Sequence, residues 1–445
     1  MKRILFIIAA RCGTAALAAP PQAPASVGEG RAPVATETAV CTTFAESSAD
    51  GFPESKYIRP VTEWHRESDG SCAGDFIVPF AWVNRQVVLH VESATGGYAV
   101  EINGRRVGHT LSGVLPSDFV VTKSAAEGRN TVRIVPLADS DGVLSPAASD
   151  FAVGRIYVQS PATVRVRDVV TRTSMGADGA ATAEVGIVMK SEALNPKTTR
   201  VYYELLSQDT IRMHYGYKEL TLDMRREDTV RFAVRLPDSC LWALRNPRML
   251  RLDVRTQVAG RNQEVETFRI GFREVEVSPN GLVSINGRPT ALIVARVRPQ
   301  ATAAEVAELR SKGYNTLHPS TDAVDRRLYD ICDSLGMYII AQTPIDTSVW
   351  GDSRRRGGNP SNDAGWTPSY VDLAEGVYHA VKLHPSVVAF SIAENSANGI
   401  CLYETYLRLK SFGDTRPVVY DSAAGEWNSD RLRRFFSPAE AGIAD

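Results

Sequence analysis

The stretch His384-Pro385-Ser386-Val387-Val388-Ala389-Phe390-Ser391-Ile392-Ala393-Glu394-Asn395-Ser396-Ala397-Asn398-Gly399 decides how this chain folds. From Ser386 to Ile392 it is short, apolar and rich in β-branched residues, and beyond Ala393 it turns polar. A strand apolar on both faces belongs in a parallel sheet covered by helices. Glu394 and Asn395 then fall at the strand's end.

The same texture extends on both sides, because strands and helices alternate from about residue 290. Leu292-Ile293-Val294-Ala295 reads as a strand, Ala303 to Lys312 as a helix, and Thr316-Leu317 as the end of a second strand. Ala323 to Leu335 is a helix bearing Leu328, Ile331 and Leu335, and Met337 to Ala341 is a third strand. A loop rich in Gly, Asn, Asp and Trp covers 346–368, with a helix near 370–382 before the quoted strand. Leu402 to Lys410 gives another helix and Pro417 to Tyr420 a fifth strand. Pro289 to Asp445 is 445 − 289 + 1 = 157 residues, whereas an eight-unit barrel typically takes about 250. Five units of an incomplete (β/α) barrel are therefore expected over 274–445.

Upstream, the period changes to two. Val87 to Val91, Tyr98 to Ile102 and Asn130 to Val135 read as strands, with Asn103-Gly104 as a hairpin turn. A second all-β stretch runs from Thr163-Val164-Arg165-Val166 to Phe268-Arg269-Ile270. Residues 57–160 and 161–273 are expected to be two β-sandwiches. Residues 19–56, rich in Ala, Pro, Glu and Ser, read as a linker or loosely attached lead-in.

The chain has 445 residues, 50 basic and 51 acidic, for a net charge of −1. That balance argues against nucleic acid or an anionic membrane as the main partner. Nothing beyond the N-terminus has the apolar length to span a bilayer. Lys2-Arg3, the apolar Ile4 to Ala10 and Ala16-Leu17-Ala18 read as an export signal over residues 1–18. Periplasmic or extracellular localisation is the expectation. Ala9-Ala10-Arg11-Cys12 offers a second reading, lipid anchoring at Cys12, which the preceding arginine disfavours. The other five cysteines form neither a disulfide framework nor a metal cluster, and Cys41–Cys72 is the only pair considered for a bridge. Cys332 reads as a buried free thiol.

The quoted stretch resembles the acid/base strand of glycoside hydrolase family 2, in which the pattern is roughly N-H-P-S-[IV]-x-x-W-S-x-G-N-E-S-x-x-G. Further motifs carry the same resemblance in order. They are Phe76-Ile77-Val78-Pro79-Phe80-Ala81-Trp82, Val87 to Val91, Val100 to Gly108 and Gly128 to Val135 in the first β stretch. In the second lie Leu241-Trp242, Asn246-Pro247, Met249 to Leu252 and Gly271-Phe272-Arg273-Glu274. Asn286-Gly287-Arg288-Pro289 matches the hairpin that leads into the family's barrel. The resemblance covers about 57–436. It implies a multidomain β plus α/β chain: an N-terminal jelly-roll sandwich of the sugar-binding type, an immunoglobulin-like sandwich, and a C-terminal partial TIM-type (β/α) barrel.

The chemistry residues depart from that pattern. Aligned without gaps, the family's catalytic Glu falls on Asn395 and its Asn on Glu394. Retaining glycosidases need two carboxyl groups about 5–5.5 Å apart, and an amide cannot donate and reclaim a proton as a carboxyl does. Glu394 is the remaining acid candidate, although neighbouring strand residues point in opposite directions. The family's nucleophile strand lies beyond the five units, leaving Glu426 or Asp421 as second carboxylates. Asn315 is kept, His318 stands for the family's Arg and Thr321 for its His. Ala341-Gln342 replaces its paired acids, and Ala295-Arg296-Val297-Arg298-Pro299 its Gly-Val-Asn-Arg-His segment. Cys332-Asp333-Ser334-Leu335-Gly336 is intact.

The reading that follows is an exported relative, catalytically impaired, acting in carbohydrate binding or as an interaction protein. His318, Trp350 and Trp427 are its candidate substrate-binding residues, with Trp366 and Tyr420 as further aromatics. The alternative is an active retaining β-glycosidase, β-galactosidase-like, whose acids have moved. No cofactor is expected, and seven scattered histidines give no metal-ligand spacing.

Overall fold

In the computed structural model the described residues are 23, 26, 28–47, 54–82, 84–137, 144, 151–176, 178–355 and 357–442. The expected export signal and Cys12 lie outside them. Two antiparallel sandwiches precede a parallel sheet with helices.

The first sandwich packs a five-stranded sheet, Thr62–Arg66, Cys72–Val78, Gly128–Pro136, Tyr98–Ile102 and Arg105–Thr110 in spatial order, on a four-stranded one of Ile58–Pro60, Ile156–Gln159, Val88–Val91 and Ser117–Val120. Alternation buries Phe76, Leu89, Val100, Phe119, Val132 and Ile134 between them. The hairpin turn has φ of 51° at Asn103 and 74° at Gly104, the doubly left-handed turn that matches strand twist. In the second sandwich, sheets of three and four strands spanning 164–270 enclose Val166, Ile187, Val201, Leu252 and Phe268. A small sheet of Val275–Val277, Val283–Ile285 and Arg288–Thr290 leads into the barrel part.

That part has strands β1 Leu292–Val297, β2 Thr316–Pro319, β3 Tyr338–Gln342, β4 Val387–Ser391, β5 Val418–Val419 and β6 Arg434–Phe435. All pairings are parallel, in the order β5-β4-β3-β2-β1-β6. Helices α1 Ala303–Ser311, α2 Arg326–Leu335, α3 Thr367–Val381 and α4 Ile400–Lys410 link them. A capping box between Thr302 and Glu305 opens α1, and Asp325 caps α2. The α2 helix thus starts three residues after the sequence placed it. Ala295, Leu317, Ile339, Ala341 and Phe390 face the helices, while Leu292, Val294, Tyr338, Ile340 and Val419 face inward. The two-residue β6 was not expected. It pairs with β1, and Leu432 just before it packs against the inward face.

One junction explains several motifs together. Asp333 accepts from Ser386 N at 3.1 Å and lies 2.7 Å from His384 Nδ1, while its carbonyl accepts from Trp242 Nε1 at 2.9 Å. Arg273 donates to the Val387 carbonyl. A Cβ at Gly271 would lie 2.4 Å from Pro385 Cγ, so only glycine permits this approach.

Two expectations are corrected. Cys41 and Cys72 are both free and buried, and do not bridge. Cys41 bridges by backbone to Val265 of the second sandwich, whereas Cys72 lies within the first. The lead-in also does not run as a loose linker over 31–41. Arg31 pairs with Asp372 of α3, Thr36 Oγ1 donates to Asp168 at 2.6 Å, and Glu37 pairs with Arg326 of α2. These polar contacts were invisible to a composition argument because each partner lies over 100 residues away.

Candidate functional site

Strand alternation sets Leu292, Val294 and Arg296 on one face of β1. Arg296 is the register partner of His318 on β2, and Gln342 ends β3 beside them. His318 Nε2 lies 2.8 Å from Gln342 Oε1, and Gln342 Nε2 donates to the Thr343 carbonyl at 2.7 Å. With Oε1 accepting, the histidine proton sits on Nε2 and Nδ1 is an acceptor. That Nδ1 is buried and has no partner among the described residues. Burial, then the charge of Arg296, pushes the His318 pKa down to about 4.

Past β4 the chain hooks sideways. Glu394 N donates to the Ile345 carbonyl at 2.8 Å, and its carboxylate pairs with Arg296. Asn395 adopts φ 41°, a left-handed conformation that asparagine tolerates. Its exposed side chain donates to Asp346 Oδ2 at 3.0 Å. Buried bonds then fasten the loop: Thr347 Oγ1 to Ser396 Oγ at 2.7 Å, and Asn398 with Asn428 through reciprocal amide contacts of 3.1 and 2.7 Å. Ser396 and Asn398 are thus fastenings of the loop.

Both other carboxylates proposed from sequence are engaged by arginines. Glu426 pairs with Arg354 at 2.7 Å, and Asp421 pairs with Arg434 of β6. Arg434 gave no signal in the sequence, since a two-residue strand has no period to detect. The aromatics divide. Trp427 is 59% exposed, its ring 4.9 Å from that of Tyr403. Trp350 is half-buried against the barrel's helical core, and Trp366 and Tyr420 are buried within it. Trp366 and Tyr420 therefore offer no stacking face. Asp330, Asp333 and His384 cluster closely enough to suggest a metal. Yet Asp333 and His384 are spent on each other, and Asp330 lies 3.6 Å from Arg269.

Chemically, the rim gathers carboxylates held by arginines, a neutral imidazole with an acceptor nitrogen, and a primary amide where the quoted strand ends. Residues 297–439 match the family described as glycosyl hydrolases family 2, TIM barrel domain. Its barrel part is similar to that family's barrel domain. A β-galactosidase of Priestia megaterium is 22% identical over 365 residues, 76% of this chain and 35% of the relative. One from Pectobacterium atrosepticum is 24% identical over 396 residues, 82% of this chain and 37% of the relative. A solved family 2 member from Bacteroides cellulosilyticus superposes with a TM-score of 0.65 at 16% identity, covering 79% of this chain and 49% of that one. The chain spans a little over a third of the length of those two curated relatives. The motifs around Trp242, Gly271, Asp333 and His384 meet at the Asp333 junction, whereas Arg296, Gln342 and Asn395 lie at the rim.

Proposed function

We propose that this family 2-like chain binds a β-linked carbohydrate at the carboxyl-terminal rim of its barrel strands and hydrolyses it poorly or not at all. One observation carries the reading: Asn395 stands at the family's acid/base position, while the adjacent Glu394 is committed to Arg296. An amide N–H is far too weak an acid to protonate a glycosidic oxygen. A carboxylate held by an arginine away from its productive position also loses catalytic value steeply with displacement. Binding needs less: His318 Nδ1 offers an acceptor for a sugar hydroxyl, and Trp427 offers an exposed ring. The curated relatives make β-galactosides the first ligand class to try, and the N-terminal pattern supports export.

The test is a glycan-binding screen of the purified chain, run beside hydrolysis of aryl β-galactosides and β-glucuronides. Retention on glycans without turnover is expected. Turnover that Glu394→Gln abolishes would overturn impairment. It would favour the second reading, a retaining β-glycosidase using Glu394 with Asp421 or Glu426. That reading draws support from the Glu394 side chain being only 17% exposed at the strand end, as a shielded acid would be.

A further inference from the structure

At the opposite end of the barrel strands from Glu394, a cleft of about 590 Å³ separates the second sandwich from the barrel. Its apolar walls are Phe232 on the sandwich side and Tyr378, Leu383, Pro385 and Phe412 on the other. That volume lies within the range of small-molecule sites, which favour domain interfaces.

The charge of the cleft is lopsided. Arg172, Arg231, Arg273, Lys382 and Arg416 line it, against Glu184 and Asp414. Lys382 is answered by Asp168 at 2.6 Å and Arg416 by Asp414 at 2.5 Å. For Arg172, Arg231 and Arg273 no carboxylate stands within ion-pair distance among the described residues. Arg172 donates to the Gly413 carbonyl and Arg273 to that of Val387, so each has a neutral acceptor; the charges of Asp414 and Asp333 reach Arg273 only from beyond ion-pair distance. Arg273 Nε and Arg416 Nη1 are buried with no hydrogen-bond partner among the described residues. Burial, reinforced by Arg416, lowers the Arg273 pKa to about 9, which still leaves it a cation at neutral pH. A desolvated cation without an adjacent counter-charge is costly.

We propose that this cleft is a binding site for a small ligand carrying an oxyanion, carboxylate or phosphate, on an apolar body. The anion supplies the missing counter-charge to Arg273 and the rim arginines, and the body lies against Phe232, Tyr378 and Phe412. The site is separate from the barrel rim and does not depend on the carbohydrate reading.

Isothermal titration of the full chain with phenyl phosphate, phenylacetate and uncharged 2-phenylethanol tests it. At least one anionic probe should bind ten-fold or more tightly than the alcohol, and which one does so identifies the headgroup. The rim variant Arg172→Gln/Arg231→Gln, whose side chains are exposed, should weaken that probe at least five-fold. It should also flatten the salt dependence of binding, with an unchanged melting temperature. Failure of both anions to bind, parity with the alcohol, or unchanged affinity in the rim variant would each overturn the proposal.

Discussion

Glu394, just past the end of β4, reaches Arg296 on β1. Three strand spacings separate those strands in the sheet order, about 14 Å on a flat surface. The contact therefore requires a sheet that rolls its inner face closed. Arg296 is 46% exposed, so the pair itself contributes little, under about 1 kcal/mol. Arg296→Met should lower stability by no more than that in urea unfolding. A loss beyond about 2 kcal/mol would mean that the ion pair, and not the apolar floor of Leu292, Val294 and Ile340, holds the curvature.

Trp242 is fully buried, its ring 5.9 Å from that of Tyr338 and its Nε1 on the Asp333 carbonyl. Trp242→Ala should cost about 3–5 kcal/mol through the cavity it leaves. Because its contacts join sandwich to barrel, calorimetry should show the wild type melting in one transition across that junction. The variant should split into two.

His90 gives a pH signature. Burial alone would depress its pKa, but a 2.8 Å contact with Asp118, then the charges of Asp118 and Glu37, outweigh burial and raise it. Arg326 opposes them, and Tyr157 stacks on the ring at 4.6 Å. A raised folded-state pKa means the stabilisation is complete below the unfolded value of about 6.5. It disappears as pH climbs through the folded value. Urea midpoints of the wild type should fall relative to His90→Gln between pH 6 and 8.5, and parallel curves would refute this.

His318 behaves in the opposite sense. Its folded pKa of about 4 lies below the unfolded value, so the unfolded chain binds the proton more tightly. Stability is complete above about pH 6.5 and declines as pH falls toward 4, by of order 3 kcal/mol at most. Ring-carbon NMR should show His318 neutral down to pH 5. His318→Gln should remove its share of the acid sensitivity.

Thiol labelling checks the cysteines. Cys41, Cys72, Cys332 and Cys401 are buried and Cys240 is partly exposed, and burial raises the pKa of Cys41 and Cys401 to about 12. Of these five, native protein should label at Cys240 first, and all should label in urea without reductant. A Cys41–Cys72 peptide in non-reducing mass spectrometry would contradict the structure.

Elements with a local signal were legible. The Asn103-Gly104 turn, the βα alternation and the apolar β4 run each depend on residues within a few positions, and β1 to β5 lie where the pattern places them. Partnerships across the chain were not. Nothing near Arg296 announces Glu394, 98 residues away, and Cys332-Asp333 could be recognised as intact without showing that Asp333 receives His384 and Ser386. The amide at Asn395 and the acid at Glu394 were readable from the sequence. That Glu394 is tied down was not, because an ion pair is a property of the roll of the sheet.

The packed lead-in over 31–41 also sets an order of events. Arg31 is made 341 residues before its partner Asp372, of order tens of seconds at ordinary elongation rates. Both sandwiches can condense in that interval, while the strap keeps its arginine unmatched until α3 arrives. The strap is thus made well before the helices that fasten it, and can close only once they exist.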